Sequence, residues 1–161
     1  MGCRQSRNRY KDEKKLEEEC PPSWRDTTPF VVPVEEGWVI KVYDGDTITI
    51  ASRLPISNSP MYRFSVRLNG IDCAEIKGKT PQEKEAAQAA KRALEGHILG
   101  KKIKLENVKT EKYGRILAEV IYDGVNYNEW MVENKLAVKY DGGTKQNVDW
   151  SKYINYDKGY L

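Results

Sequence analysis

A mainly β chain with helices, of the α+β class, is predicted by three observations. Five short runs are rich in β-branched and aromatic residues, one long capped helical pattern falls after the third run, and Asp-Gly or Gly-containing turns separate neighbouring runs. The length of 161 residues suits one compact domain with one core and some appended chain.

The first two runs, residues 38–43 and 47–52, flank Asp44-Gly45-Asp46, and Asp-Gly is a strong hairpin signal. After a loop with two prolines at 54–60, residues 62–68 alternate. Phe64, Val66 and Leu68 share one face, and Arg63, Ser65 and Arg67 share the other, so Arg67 is expected to point away from the apolar stripe. Thr80-Pro81 with Glu83 three residues on has the composition of a capped helix start with a capping box. That helix is predicted to run to about Leu99 and stop at Gly100, with Ala86, Ala87, Ala90, Leu94 and Ile98 on its core face. Residues 101–108 and 116–122 are two further strands with Tyr113-Gly114 at the turn between them. Asp123-Gly124 leads into a short helix at 127–134 that offers Trp130, Met131 and Val132 for packing, and residues 136–140 are compatible with one more strand. Five strands with a helix after the third is the arrangement of a small Greek-key barrel of the OB type.

Residues 1–36 read as a charged, proline-containing amino-terminal tail, 37–140 as the barrel domain, and 141–161 as an aromatic tail packing on the barrel. In that last stretch Trp150, Tyr153, Tyr156 and Tyr160 are expected to cover the barrel rather than to stack on bases.

With 27 basic and 24 acidic residues, a polyanion partner is permitted but not required. The single histidine, His97, excludes a His-rich zinc site, and Cys3, Cys20 and Cys73 lack the paired spacing of a Cys-based one. Three scattered cysteines do not form a disulfide framework and suit a reducing, intracellular compartment. No apolar run approaches a membrane span or a signal peptide. The opening Met1-Gly2-Cys3-Arg4-Gln5-Ser6 does match the pattern for myristoylation of Gly2, with Cys3 beside it for palmitate, which makes a lipid-anchored membrane protein the accompanying expectation.

Taken alone, Asp44-Gly45-Asp46 has the composition of a turn. Asp72, at the end of the third strand, changes its reading, because adjacent strand ends can join two distant carboxylates into an oxygen cluster for Ca²⁺ or Mg²⁺. Glu75 then stands where a carboxylate could take a proton from water attacking phosphorus. Arg67 and Arg115 carry the planar forks that stabilise charge developing on a phosphodiester.

The order DGDT, then RLNGIDCAE at 67–75, a helix, two strands and KYGR at 112–115 resembles the staphylococcal nuclease family, over about residues 38–140. The resemblance implies one Ca²⁺ held by Asp46, Asp72 and the backbone carbonyl of Cys73, with Glu75 as the base and Arg67 and Arg115 on the phosphate. Lys112 and Tyr113 match positions beside the terminal phosphate. It further implies cleavage of DNA and RNA, single strands favoured, to 3′-phosphate ends, by a protein expected to be monomeric. Cys73 and Ala74 stand where threonine and proline are usual, so the segment aiming Glu75 is expected to be looser. The loop from Glu75 to the helix is short, and no terminal helix is evident in 147–161. The competing class is a non-catalytic barrel that binds nucleic acid or protein. All five catalytic and metal side chains are present, which favours the nuclease.

Overall fold

A computed structural model of the chain describes residues 21–153. Gly2, Cys3, Tyr156 and Tyr160 therefore lie outside the described residues.

Strands β1 (Glu36–Val42), β2 (Thr47–Arg53) and β3 (Met61–Leu68) form an antiparallel meander, and β5 (Lys102–Thr110) and β6 (Ile116–Tyr122) pair on its far side in the order β3-β2-β1-β5-β6. Parallel pairing of β3 with β6, Val66 opposite Ile116 and Leu68 opposite Ala118, closes the sheet into a five-stranded mixed barrel. This is the OB-type α+β architecture expected from the pattern of runs. Alternation fills the interior: Ile48, Ile50, Val66, Leu68, Ile103 and Val120 are all buried. In β1 the register slips between Val39 and Lys41, so Val39 and Val42, three residues apart, both face inward. Val34, upstream of β1, also joins this core, and the Leu105 N–H donates to the Glu35 carbonyl at 2.7 Å.

Helix α1 (Pro81–Ile98) covers the barrel with a face of small residues, Ala86, Ala87, Ala89, Ala90 and Ala93, that lets it approach closely, anchored by Leu94 and Ile98. Its start differs from the expected capping box in one respect. The Thr80 Oγ1 accepts from the Glu83 N–H at 3.1 Å, but the Glu83 carboxylate takes the Lys79 N–H at 2.8 Å instead of that of Thr80. The reach of Glu83 extends past the cap into the loop that follows Glu75.

The expected strand at 136–140 narrows to β8 (Val138–Lys139), which pairs with β4 (Ile71–Asp72), Asp72 opposite Val138. Between them in sequence, β7 (Val125–Asn126) pairs with β6, and α2 (Tyr127–Glu133) buries Met131. Asn128 of α2 is buried and fully used. Its Oδ1 accepts from the Val120 N–H at 2.9 Å, and its Nδ2 donates to the carbonyls of Asn69 (2.8 Å) and Ala118 (3.1 Å). A buried amide with all these bonds fixes position rather than merely filling space. It ties α2 and β6 to the turn that precedes Asp72.

A 3₁₀ turn at Trp150–Tyr153 packs its two aromatic rings, edge to face at 5.3 Å, against Ala74, Ala86 and Ala87. Among the described residues, no helix is long and apolar enough to cross a membrane.

Candidate active site

Strand register assembles the site. Thr47 pairs opposite Arg67 across β2 and β3, so Asp46, one residue earlier, ends beside the Arg67 guanidinium. On β3 and β6, Arg67 lies opposite Leu117 while Val66, Leu68, Ile116 and Ala118 turn inward. Arg115, two residues before Leu117, thus falls on the same outer face as Arg67. Asp72 arrives on β4, and the β5–β6 turn places Lys112 and Tyr113 at the edge. The side chains expected for catalysis and metal binding, Asp46, Arg67, Asp72, Glu75 and Arg115, all line one open cleft of about 440 Å³.

The floor of the cleft is a charge cluster of two buried carboxylates and a half-buried guanidinium. Arg67 Nη1 is 2.7 Å from Asp46 Oδ2 and Nη2 is 3.0 Å from Asp72 Oδ1, so a single guanidinium bridges both carboxylates. Asp46 also accepts from the Thr47 hydroxyl at 2.8 Å and the Cys73 N–H at 3.4 Å, and its own carbonyl accepts from the Leu68 N–H at 2.8 Å. Burial pushes the Asp46 carboxyl up to about 6, opposed by Arg67 and reinforced by the charge of Asp44. Burial would lower the Arg67 pKa, but Asp46 and Asp72 outweigh it and raise it.

Gly45, inside the motif, is required by close approach. A Cβ there would lie 2.7 Å from the Ala90 Cβ and 2.8 Å from the Cys73 Sγ. The turn that carries Asp46 is therefore pressed directly on α1. The thiol of Cys73 points into the core, and burial, followed by the charges of Asp46, Asp44 and Asp72, pushes its pKa far up. With its thiol turned into the core, Cys73 presents its backbone to the cleft.

The rim is more open, with Glu75, Lys112 and Tyr113 exposed and Glu111 and Arg115 half-buried, and it is paired differently. Arg115 donates from Nε and Nη2 to the two oxygens of Glu111 at 2.6 and 2.7 Å, which lowers the Glu111 pKa and raises that of Arg115. Gly114 takes φ +82° in the tight turn between these partners, where a side chain would be strained. Lys112 lies over the Tyr113 ring at 4.9 Å, and Tyr113 is 73% exposed at the tip. Glu75 is exposed, with Lys145 Nζ 2.7 Å from its Oε1, and that bond and charge lower its pKa. Ala74 is buried against Ala86 and Ala87, so packing on α1 holds this segment where a proline ring was the expected stiffener.

Two residues that form ion pairs with expected site residues in the cleft carried little or no mark in the sequence. Glu111 had a weak signal, lying four positions before Arg115 across a glycine turn. Lys145 had none, since it comes from a loop with no period, 70 residues from its partner.

Among the described residues, no group of three His, Cys, Asp or Glu side chains is close enough to hold a metal ion unaided. The candidate donors are the carboxylates of Asp46 and Asp72, both oxygen, a set that suits a hard cation completed by carbonyl and water oxygens.

Comparison with known proteins identifies the family. A family profile described as staphylococcal nuclease homologue matches residues 65–158. A probable endonuclease of Schizosaccharomyces pombe is 31% identical over 128 residues, covering 66% of this chain and 56% of that protein. The probable endonuclease LCL3 of Candida glabrata is 34% identical over 90 residues, covering 53% of this chain and 35% of that protein. The match thus spans about half or less of the length of these relatives. With the family profile covering more than half of its residues and a closed barrel beneath the matched motifs, the chain belongs to the family of staphylococcal nuclease homologues.

Proposed function

We propose that the protein is a Ca²⁺-dependent endonuclease that hydrolyses phosphodiester bonds of DNA and RNA to 3′-phosphate products. The observation that carries this reading is the convergence of Asp46, Arg67, Asp72, Glu75 and Arg115, delivered by four separate segments, in one cleft. The two relatives named as probable endonucleases support it.

Asp46 and Asp72, with the Cys73 carbonyl, would hold the cation. Bound there, Ca²⁺ supplies positive charge to the phosphate and makes nearby water more acidic. Glu75 accepts the proton of the attacking water as its oxygen bonds to phosphorus. The bond from phosphorus to the 5′ oxygen breaks in line, and the departing 5′ oxygen takes a proton from water, giving a 3′-phosphate and a 5′-hydroxyl. Arg67 and Arg115 stabilise the charge that gathers on the non-bridging oxygens. Both arginines already hold carboxylates, so each guanidinium is oriented before a phosphate arrives. Lys112 and Tyr113 at the rim would meet the end of the strand.

The reading extends to the amino terminus, where Gly2 and Cys3 carry the acylation pattern that would anchor the enzyme to a membrane face. Mass spectrometry of native protein should find an acylated Gly2, and a free or acetylated amino terminus would exclude the anchor.

Cleavage of single-stranded DNA with Ca²⁺, and with EGTA in its place, tests the main reading. Cutting should require Ca²⁺, leave 3′-phosphate ends, and fall on the order of 100-fold or more in Glu75→Gln. DNA binding without cutting at any Ca²⁺ concentration would instead assign a non-catalytic binding barrel.

A further inference from the structure

Charges of alternating sign run without a gap from the floor of the cleft to its rim. Asp46 meets Arg67 at 2.7 Å, Arg67 meets Asp72 at 3.0 Å, Asp72 meets Lys145 at 3.4 Å, and Lys145 meets Glu75 at 2.7 Å. Arg67 Nη2 and Lys145 Nζ share one oxygen, Asp72 Oδ1. Glu75 is connected to the buried cluster through this lysine.

The fold holds both ends of that last link. The loop bearing Lys145 is fixed on one side by the Tyr140 N–H, which donates to the Gly70 carbonyl at 2.9 Å, and by the Tyr140 hydroxyl, which donates to the Gly143 carbonyl at 2.7 Å. On the other side, Trp150 and Tyr153 pack on the cluster of Ala74, Ala86 and Ala87. Ala74 immediately precedes Glu75. The same small apolar cluster therefore positions the segment carrying the carboxylate and the segment carrying its lysine.

The Glu75 side chain is otherwise free to swing, being 61% exposed. A pair this exposed contributes little to stability. Its consequence is geometric: a general base must lie within hydrogen-bond reach of the proton it takes. We propose that Lys145 is a positioning residue for the reaction, holding the Glu75 carboxylate over the phosphate cleft by bridging it to Asp72. The inference rests on the nuclease reading above.

Steady-state kinetics with Ca²⁺ on a single-stranded oligonucleotide, for wild type, Lys145→Ala, Lys145→Arg, Glu75→Gln and the double variant Glu75→Gln/Lys145→Ala, test it. Lys145→Ala should lower kcat about tenfold or more with KM within about twofold, because misplacement of a catalytic group by about 1 Å can cost on the order of 100-fold. Lys145→Arg should recover most of that loss. In the Glu75→Gln background, removing Lys145 should cost less than about twofold, because a residue acting through Glu75 has nothing left to position. Without reference to activity, the carboxyl ¹³C resonance of Glu75 at neutral pH should move in Lys145→Ala and return toward wild type in Lys145→Arg.

Unchanged kcat, or an unmoved Glu75 resonance, would overturn the proposal. An equal loss in both backgrounds, or a raised KM with kcat intact, would overturn it in favour of a lysine that binds substrate phosphate. A faster Lys145→Ala enzyme would overturn it by showing a clamp on the base. A wild type that does not cut at all would overturn the nuclease reading itself, and this is seen before any variant is compared.

Discussion

The floor and the rim of the cleft carry similar side chains on different supports. On the floor, Asp46 and Arg67 stand at the paired ends of β2 and β3 and Asp72 sits on β4; both carboxylates are buried and the guanidinium between them is largely covered. On the rim, Glu75, Lys145 and Lys112 sit on loops, and Tyr113 is among the most exposed aromatic residues described. A charge on the floor is bound up with folding, because a desolvated ion that loses its partner is costly. A charge on the rim is screened, so its loss falls mainly on chemistry. Stability and activity should therefore separate between the two regions.

The largest effect is expected at Arg67. Arg67→Met leaves two carboxylates facing each other on the floor and should lower unfolding free energy by about 3 kcal/mol in urea melts, while cutting falls on the order of 100-fold or more. If stability is untouched, the floor is not a structural ion cluster and the contrast fails. Arg115→Ala sharpens the contrast from the other side. It should cost a similar factor in rate yet leave the unfolding free energy within about 1 kcal/mol of wild type.

Gly45→Ala probes how the floor is pressed on α1. Overpacking against Ala90 and Cys73 should cost about 1–3 kcal/mol. The rate should fall too, because the displaced turn carries Asp46. A neutral result would mean that the turn and helix separate without cost.

The smallest effect belongs to Glu111→Gln on the rim, below about 1 kcal/mol at neutral pH. Its sign can be checked against acid. The Arg115 hydrogen bonds hold the Glu111 pKa below its ordinary value, so the pair's contribution is complete above that ordinary value and disappears as pH falls through the lowered one. Melts of wild type and Glu111→Gln should therefore converge at low pH and differ near neutrality.

Legibility in the sequence followed the same division. The hairpin at Asp44-Gly45-Asp46, the alternation that turns Arg67 away from Val66 and Leu68, and the span of α1 were all readable, because each depends on neighbours a few residues apart. The Glu83 cap was half right: its side chain is long enough to choose Lys79 over Thr80, which propensity does not weigh. The role of Ala74 was not readable, since the loss of a proline suggested looseness and only the packed helix and Trp150 supply the hold. Lys145 was silent because nothing local marks a lysine whose partners are 70 and 73 residues away.

The sequence by itself determined the strand and helix periods, the kinds of charged group available, and the motif order that places the chain in its family. Tertiary structure alone decided which charges share an oxygen. The parallel closure of β3 on β6 brings the two arginines to one face, and the packing of Ala74, Trp150 and Tyr153 brings Lys145 to Glu75. The physical reason is range. Backbone period and turn chemistry act over a few residues, whereas an ion pair across a cleft is set by how separately folded segments dock, and docking energy comes from buried apolar contacts that no single segment contains.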